Sequence, residues 1–166
     1  LIVDFGNTRV KTAFFEAGEL QRVIIHNNVE DWQQWITTIT YNNVIVSNVS
    51  HDGGVLEMLR NPLILNYKLK LPFVIKYETP ETLGVDRLAL CTGAKALSND
   101  KGAKLIIDLG TCVTYDYINS DNEYLGGGIS PGMQLRAKAM HTFTGKLPLI
   151  EGVSETELIG SSTHKA

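Results

Sequence analysis

Residues 1–14 read LIVDFGNTRVKTAF and residues 105–118 read LIIDLGTCVTYDYI. Asp4 falls on Asp108 and Gly6 on Gly110, at one constant offset of 104 residues. In each copy a matching apolar run leads into the Asp. A repeat of this kind sets the architecture before any local reading does. It predicts two related halves, each opening on a buried strand that delivers an Asp and a Gly to a tight turn. Two such turns facing each other would make a cleft walled by backbone N–H groups and carboxylates. A nucleotide phosphate chain with its metal fits that description.

Composition narrows the classes. The chain has 166 residues, enough for one sizeable domain or two small ones, with 43% hydrophobic and 20% charged residues as in ordinary globular proteins. A formal net charge of -3 gives no electrostatic case for nucleic acid. No apolar run approaches the roughly 20 residues that span a bilayer, and no signal-peptide pattern opens the chain. A cytoplasmic location without membrane attachment is the expectation. Cys91 and Cys112 stand outside any CxxC spacing in largely apolar surroundings, which predicts reduced thiols.

Outward from the first copy, residues 1–3 are apolar without alternation, predicting a strand buried on both faces. Strands over 10–16 and 20–26 follow, joined by Glu16-Ala17-Gly18-Glu19. Trp32, Trp35, Ile36 and Ile39 then recur at helical spacing and predict one apolar helix face, a core face rather than a stacking platform. A short strand is expected over 44–47, a helix over 53–60 ended by Pro62, and extended chain over 63–76. Thr79-Pro80-Glu81 predicts a helix start, and the helix should run to about Leu97. Ser98 to Gly102 is the most linker-like segment. It sets expected halves of 1–99 and 100–166. Strands over 104–109, 112–118 and 123–129 repeat the opening triplet, and Ser130-Pro131 should cap a helix reaching His141. The pattern is α/β with mixed sheets. The opening on a strand without Met and the ending GSSTHKA predict that a second half mirroring the first is cut short.

Four segments could carry chemistry. In Asp4-Phe5-Gly6-Asn7-Thr8-Arg9-Val10-Lys11, Gly6 permits a sharp turn and close ligand approach, Asn7 and Thr8 add donors, and Lys11 adds a charge for phosphate oxygens. Asp4 would repel bare phosphate, so it makes sense with Mg2+ between them. The second turn, Asp108-Leu109-Gly110-Thr111, substitutes hydroxyls for the Lys. Either turn alone is equally a hairpin with its Asp as a local cap; the repetition favours a shared site. In the segment from Tyr77 to Arg87, Asp86 is a candidate for accepting the proton of an attacking hydroxyl, and Arg87 for favouring its ionised form or holding an acidic substrate. The same Asp-Arg pair could be a solvated surface pair. Read within a helix beginning at Thr79, Asp86 lies beyond the first turn, where the dipole helps it little. Gly126-Gly127-Gly128 could admit a ligand at a helix N-terminus or form a plain turn. The four His residues are scattered without metal-ligand spacing.

At these residues the chain resembles the type III pantothenate kinases, within the superfamily of acetate kinase, sugar kinases, chaperone ATPases and actin. The resemblance rests on DFGNTRVK at 4–11, LGVDR at 83–87, DLGTCVTYD at 108–116, GGGISPG at 126–132 and Lys146-Leu147-Pro148. It implies duplicated ribonuclease H-like (actin-like ATPase) halves with mixed five-stranded sheets, the second truncated. It also implies ATP-dependent phosphorylation of pantothenate at its terminal hydroxyl, the first step towards coenzyme A. By the resemblance, Asp86 is the catalytic base and Asp4 the carboxylate associated with Mg2+. Gly6, Asn7, Thr8 and Lys11 form the first phosphate turn, and Gly110 and Thr111 belong to the second. Tyr77, Gly84, Val85, Asp86 and Arg87 meet pantothenate, and Asp108 holds K+ or NH4+. Thr163 reaches the substrate of a neighbouring subunit in a homodimer. Cys112 stands where relatives usually carry Ala. Two other readings stand beside this one: a regulatory accessory protein of the same fold, and a kinase of the superfamily acting on another small molecule. The full set of Asp4, Lys11, Asp86 and Asp108 favours the enzyme.

Overall fold

The computed structural model describes residues 1–49, 53–98, 100–152 and 159–164. It forms two compact units, one of Leu1–Ile106 with Asp116–Gly126, the other of Ile107–Tyr115 with Gly127–Ala166. The architecture is mixed α/β, with two sheets and three α-helices among the described residues. None of those helices is long and apolar enough to cross a membrane.

The first sheet has β1 (Ile2–Phe5), β2 (Val10–Glu16), β3 (Glu19–His26), β4 (Ile45–Asn48) and β5 (Leu63–Ile64), in the order β3-β2-β1-β4-β5. β1 runs antiparallel to β2 and parallel to β4. Ala17 and Gly18 both take positive φ, 51° and 88°, as a two-residue hairpin between right-twisted strands requires. The parallel step from β1 to β4 needs a long crossover, which includes α1 (Val29–Ile36). Asn28 caps α1: its side-chain oxygen accepts the Asp31 N–H at 2.8 Å, with Glu30 and Asp31 acidic in the first turn. Val3, Phe5, Val10 and Val46 pack with Trp32 and Ile36 of the helix, and the Phe5 and Trp32 rings meet edge to face at 4.8 Å. β1 is thus fully buried on one face only. Ile2 and Asp4, on the other, are half-buried, a correction to the two-sided burial read from the apolar run.

The second sheet joins β6 (Val74–Ile75), β7 (Lys104–Leu109), β8 (Cys112–Ile118) and β9 (Glu123–Pro131) in the order β6-β9-β8-β7. Among the described residues it is four-stranded rather than five-stranded, and its β6 edge comes from residues 74–75, parallel to β9. The expected helix over 53–60 is a 3-10 helix at Gly53–Met58.

Two helix starts differ from the sequence reading. Pro80 does open a turn, but it is a 3-10 turn of three residues, Pro80–Thr82, with no side-chain cap bond from Thr79. The chain is then extended at Leu83 and leaves helical geometry at Gly84, so α2 (Val85–Leu97) begins afresh. The break carries Leu83 into a core with Phe73, Leu88, Cys91, Ile118 and Tyr124. Likewise β9 continues through Ser130 and Pro131, and α3 (Met133–Phe143) starts after Gly132. Arg136 on α3 donates to the Pro131 carbonyl at 2.7 Å and to Ser130 Oγ at 3.3 Å.

Candidate active site

The β1–β2 corner occupies residues 6–9. Gly6 N–H donates to the Arg9 carbonyl at 3.2 Å. A Cβ on Gly6 would stand 3.3 Å from that carbonyl oxygen and 3.9 Å from Asp4 Oδ2, so the corner turns tightly beside the carboxylate. A cavity of about 310 Å³ opens here, between Gly6, Asn7, Thr8 and Arg9 on one wall and Asn27, Asn28, Val29 and Glu30 at the start of α1 on the other. Sequence reading named the first wall and missed the second. The available signal was the Asn-Asn pair of the helix cap.

Strand register aligns Lys11, Asp4 and Ser47 across β2, β1 and β4. Residues opposed in register share a face with neighbouring Cβ atoms. Ser47 Oγ is buried with no hydrogen-bond partner among the described residues. A half-buried carboxylate beside an orphaned hydroxyl is a hard-oxygen donor set, and Mg2+ at phosphate sites takes few protein ligands plus waters and phosphate oxygens. Asp4 and Ser47 fit that ion. Among the described residues no group of three or more His, Cys, Asp or Glu gathers as a metal cage.

Asp86 sits in the first turn of α2, not beyond it. The break at Leu83–Gly84 puts it there. Its Oδ1 accepts the Arg87 N–H at 2.8 Å. Gly84 makes room, since a Cβ there would stand 2.5 Å from Asp86 Oδ1. Val85 is half-buried beside it. Within the same unit, α2 packs against β4, the strand that carries Ser47.

Arg87 is only 6% exposed. Its Nε donates to Asp116 Oδ1 at 2.9 Å, and a terminal nitrogen lies 2.7 Å from the same oxygen. Tyr124 O–H also donates to Oδ1, at 2.6 Å. Burial works against the Arg87 charge, but the bond and charge of Asp116 outweigh it and lift its pKa further. Burial pushes the Tyr124 phenol up, and its bond to Asp116 adds to the shift. Burial also pushes the neighbouring Cys91 thiol to about 12, and both Cys91 and Cys112 are free thiols. Asp116 and Tyr124 were not assigned a role from sequence. The signal was present: Thr114, Asp116 and Ile118 alternate on the buried side of β8, and an inward Asp requires a partner.

Tyr77 leans on this cluster, its ring 6.2 Å from that of Tyr124. Gly126, with φ +112°, faces Tyr77, whose ring carbons would lie 3.1 and 3.2 Å from an added Cβ. The glycine run therefore lies within β9 rather than at a helix start, and Gly126 makes room for an aromatic ring.

Asp108, Gly110, Thr111 and Thr163 lie in the other unit. Gly110 N–H donates to the Cys112 carbonyl at 3.0 Å, and Asp108 Oδ2 would be 3.4 Å from a Gly110 Cβ, the same carboxylate–glycine relation as at Asp4 and Gly6. Gly132 N–H donates to the Thr111 carbonyl at 2.9 Å and lies too close to that turn for any side chain. Asp108 is exposed. Thr163 is exposed.

A model of the type III pantothenate kinase family matches residues 1–166. The type III pantothenate kinase of Cytophaga hutchinsonii is 38% identical over 165 residues, covering 98% of this chain and 70% of that protein. Those of Phocaeicola vulgatus and Christiangramia forsetii are 38% and 39% identical, each across 100% of this chain and 71% of the relative. A solved structure from Campylobacter jejuni, assigned to the Baf family of transcriptional activators, superposes with a TM-score of 0.62 over 99% of this chain and 69% of that one; at 21% identity it speaks for the fold alone. With the family model spanning residues 1–166 and relatives this similar across nearly all of this chain, the chain belongs to the type III pantothenate kinase family.

Proposed function

We propose that the chain transfers the γ-phosphoryl group of ATP to the terminal hydroxyl of pantothenate, giving 4'-phosphopantothenate in the first step of coenzyme A biosynthesis. The observation that carries the residue assignment is the adjacent pair Asp86 and Arg87 in the first turn of α2, one facing its own helix N-terminus and the other anchored on Asp116. Phosphoryl transfer asks for positioning and charge stabilisation more than covalent chemistry. The Gly6, Asn7 and Thr8 corner receives the phosphate chain, with the Lys11 charge at hand. Gly110 and Thr111 serve as a second phosphate turn. Asp86 accepts the proton of the attacking hydroxyl. Arg87 meets the pantothenate carboxylate, with Tyr77, Gly84 and Val85 completing the substrate wall. Mg2+, when bound, supplies neutralisation of phosphate charge, and Asp4 with Ser47 would hold it. Asp108 would hold K+ or NH4+. The chain acts as a homodimer in which Thr163 reaches a neighbour's substrate, and the duplicated halves divide at 99/100. Free thiols at Cys91 and Cys112 are consistent with a cytoplasmic location for this reaction.

The test is ATP consumption with and without pantothenate, in the presence and absence of K+, for the parent and Asp86→Asn. Pantothenate-dependent turnover should appear in the parent and fall by about two to four orders of magnitude in the variant, while pantothenate still binds. Near-parental turnover in Asp86→Asn would remove Asp86 from its role.

A further inference from the structure

Asp116 and Tyr124 are both fully buried, on adjacent strands β8 and β9, and both converge on Arg87 through one oxygen, Asp116 Oδ1. Asp116 Oδ2 is buried and has no hydrogen-bond partner among the described residues. As a stabilising device this is poor. A buried ion pair is commonly no better than apolar side chains of the same volume, and an unsatisfied carboxylate oxygen makes it worse. As an orienting device it is good. A guanidinium is planar and rigid, so holding it at Nε and one terminal nitrogen fixes the plane of the whole group. The backbone N–H of the same Arg87 donates to Asp86, so the anchor also steadies the first turn of α2. Tyr124, in contact with Tyr77, links the anchor to the substrate wall.

We propose that Asp116, supported by Tyr124, is the positioning residue that sets the Arg87 guanidinium against the substrate carboxylate, and so sets the preference for an acid over its neutral analogue. This rests on the reading of Arg87 as the group that meets the pantothenate carboxylate. Asp116 itself touches no substrate; it acts through Arg87.

The experiment compares kcat/KM for pantothenate and for its alcohol analogue, in which CH2OH replaces the carboxylate, in the full enzyme. The parent should prefer the acid by about tenfold or more, the worth of a charge-assisted pair. Asp116→Asn keeps the shape and an acceptor but loses the charge. It should bring the preference close to unity by raising KM for pantothenate, with KM for ATP unchanged. Tyr124→Phe keeps the ion pair and should lower the preference by roughly threefold, the worth of one neutral hydrogen bond. It carries the test if Asp116→Asn fails to fold. A parental preference in Asp116→Asn, or in Tyr124→Phe where only that variant folds, overturns the proposal. Arg87→Met separates the two claims. If it abolishes the preference while Asp116→Asn does not, the positioning role falls and the Arg87 reading stands. If Arg87→Met itself keeps the preference, the Arg87 reading falls and takes the inference with it. A uniform loss of kcat on both substrates in the folded Asp116→Asn protein marks a merely structural role and likewise overturns it.

Discussion

Replacing Gly84 by Ala should separate catalysis from folding. Gly84 has φ -55° and ψ 128°, a conformation open to any residue. The obstacle is steric and local: the new Cβ would stand 2.5 Å from Asp86 Oδ1, whereas ordinary contact begins at 3.4 Å, so one partner must retreat by about 0.9 Å. Gly84 is tied into the helix through its carbonyl, which accepts the Leu88 N–H at 3.3 Å. The Asp86 carboxylate is the softer partner and can rotate away, giving up its bond from the Arg87 N–H. Stability should change by no more than about 1 kcal/mol, because Ala is a poorer helix N-terminal residue but restricts the unfolded chain. A misplacement of about 1 Å at a reacting group is worth roughly a hundredfold in rate. The assay is ADP release at saturating ATP and pantothenate, beside thermal unfolding. The expected result is a kcat about a hundredfold lower with Tm within about 4 °C. In an Asp86→Asn background the same change should have little further effect, since the displaced group is already disabled. Turnover within about threefold of the parent, or equal losses in both backgrounds, would refute the reasoning.

Other outcomes test the packing. Trp32→Ala should destabilise the chain by about 3–5 kcal/mol in urea, since Trp32 is wholly buried against Phe5. Stability should also fall on both flanks of neutral pH. The Cys91 thiol, at 9.0 unperturbed and about 12 when folded, favours the fold below 9.0 and loses that advantage as pH rises towards 12. His26 is lowered from 6.5 mainly by burial, with Asp31 opposing, so its contribution is complete above 6.5 and declines as pH falls below it. Denaturation midpoints measured from pH 5 to 11 check both, and Cys91→Ala should flatten the alkaline limb.

The hairpin at Ala17-Gly18 and the apolar face of the first helix were legible because each rests on local chemistry within a few residues, although the Asn28 cap of that helix was not read. The restart of α2 was not. Thr79-Pro80-Glu81 carries an authentic helix-start signal, and only the inward pull on Leu83 ends the turn after Thr82. That single tertiary event moves Asp86 from beyond the first turn of the expected helix into the first turn of α2. The contact made by Gly126 was not legible for a related reason. A glycine that admits a ligand and one that admits a tyrosine ring look alike until Tyr77 is placed beside it. The partner of Arg87 lay 29 residues away on another element, beyond any short-range pattern.

The two corners keep one relation and differ in another. In both, the Gly lies two residues after the Asp, close to its carboxylate, and donates its N–H to a carbonyl across the turn. In the first, that carbonyl belongs to Arg9, three residues on, and four residues separate β1 from β2. In the second it belongs to Cys112, two residues on, and only two residues separate β7 from β8. The longer connection bows outward far enough to wall a cavity and bring exposed Asn7 and Thr8 to its edge. The shorter is pinned by Gly132 and offers a fixed backbone with one hydroxyl at Thr111. A carboxylate beside Lys11 and Ser47 is a donor set that fits a divalent ion, whereas Asp108 stands exposed beside its shorter turn. Loop length, more than the Asp-x-Gly signature itself, therefore distinguishes the two copies. Shortening residues 6–9 to the two-residue form should abolish nucleotide binding while leaving the β1–β2 pairing intact.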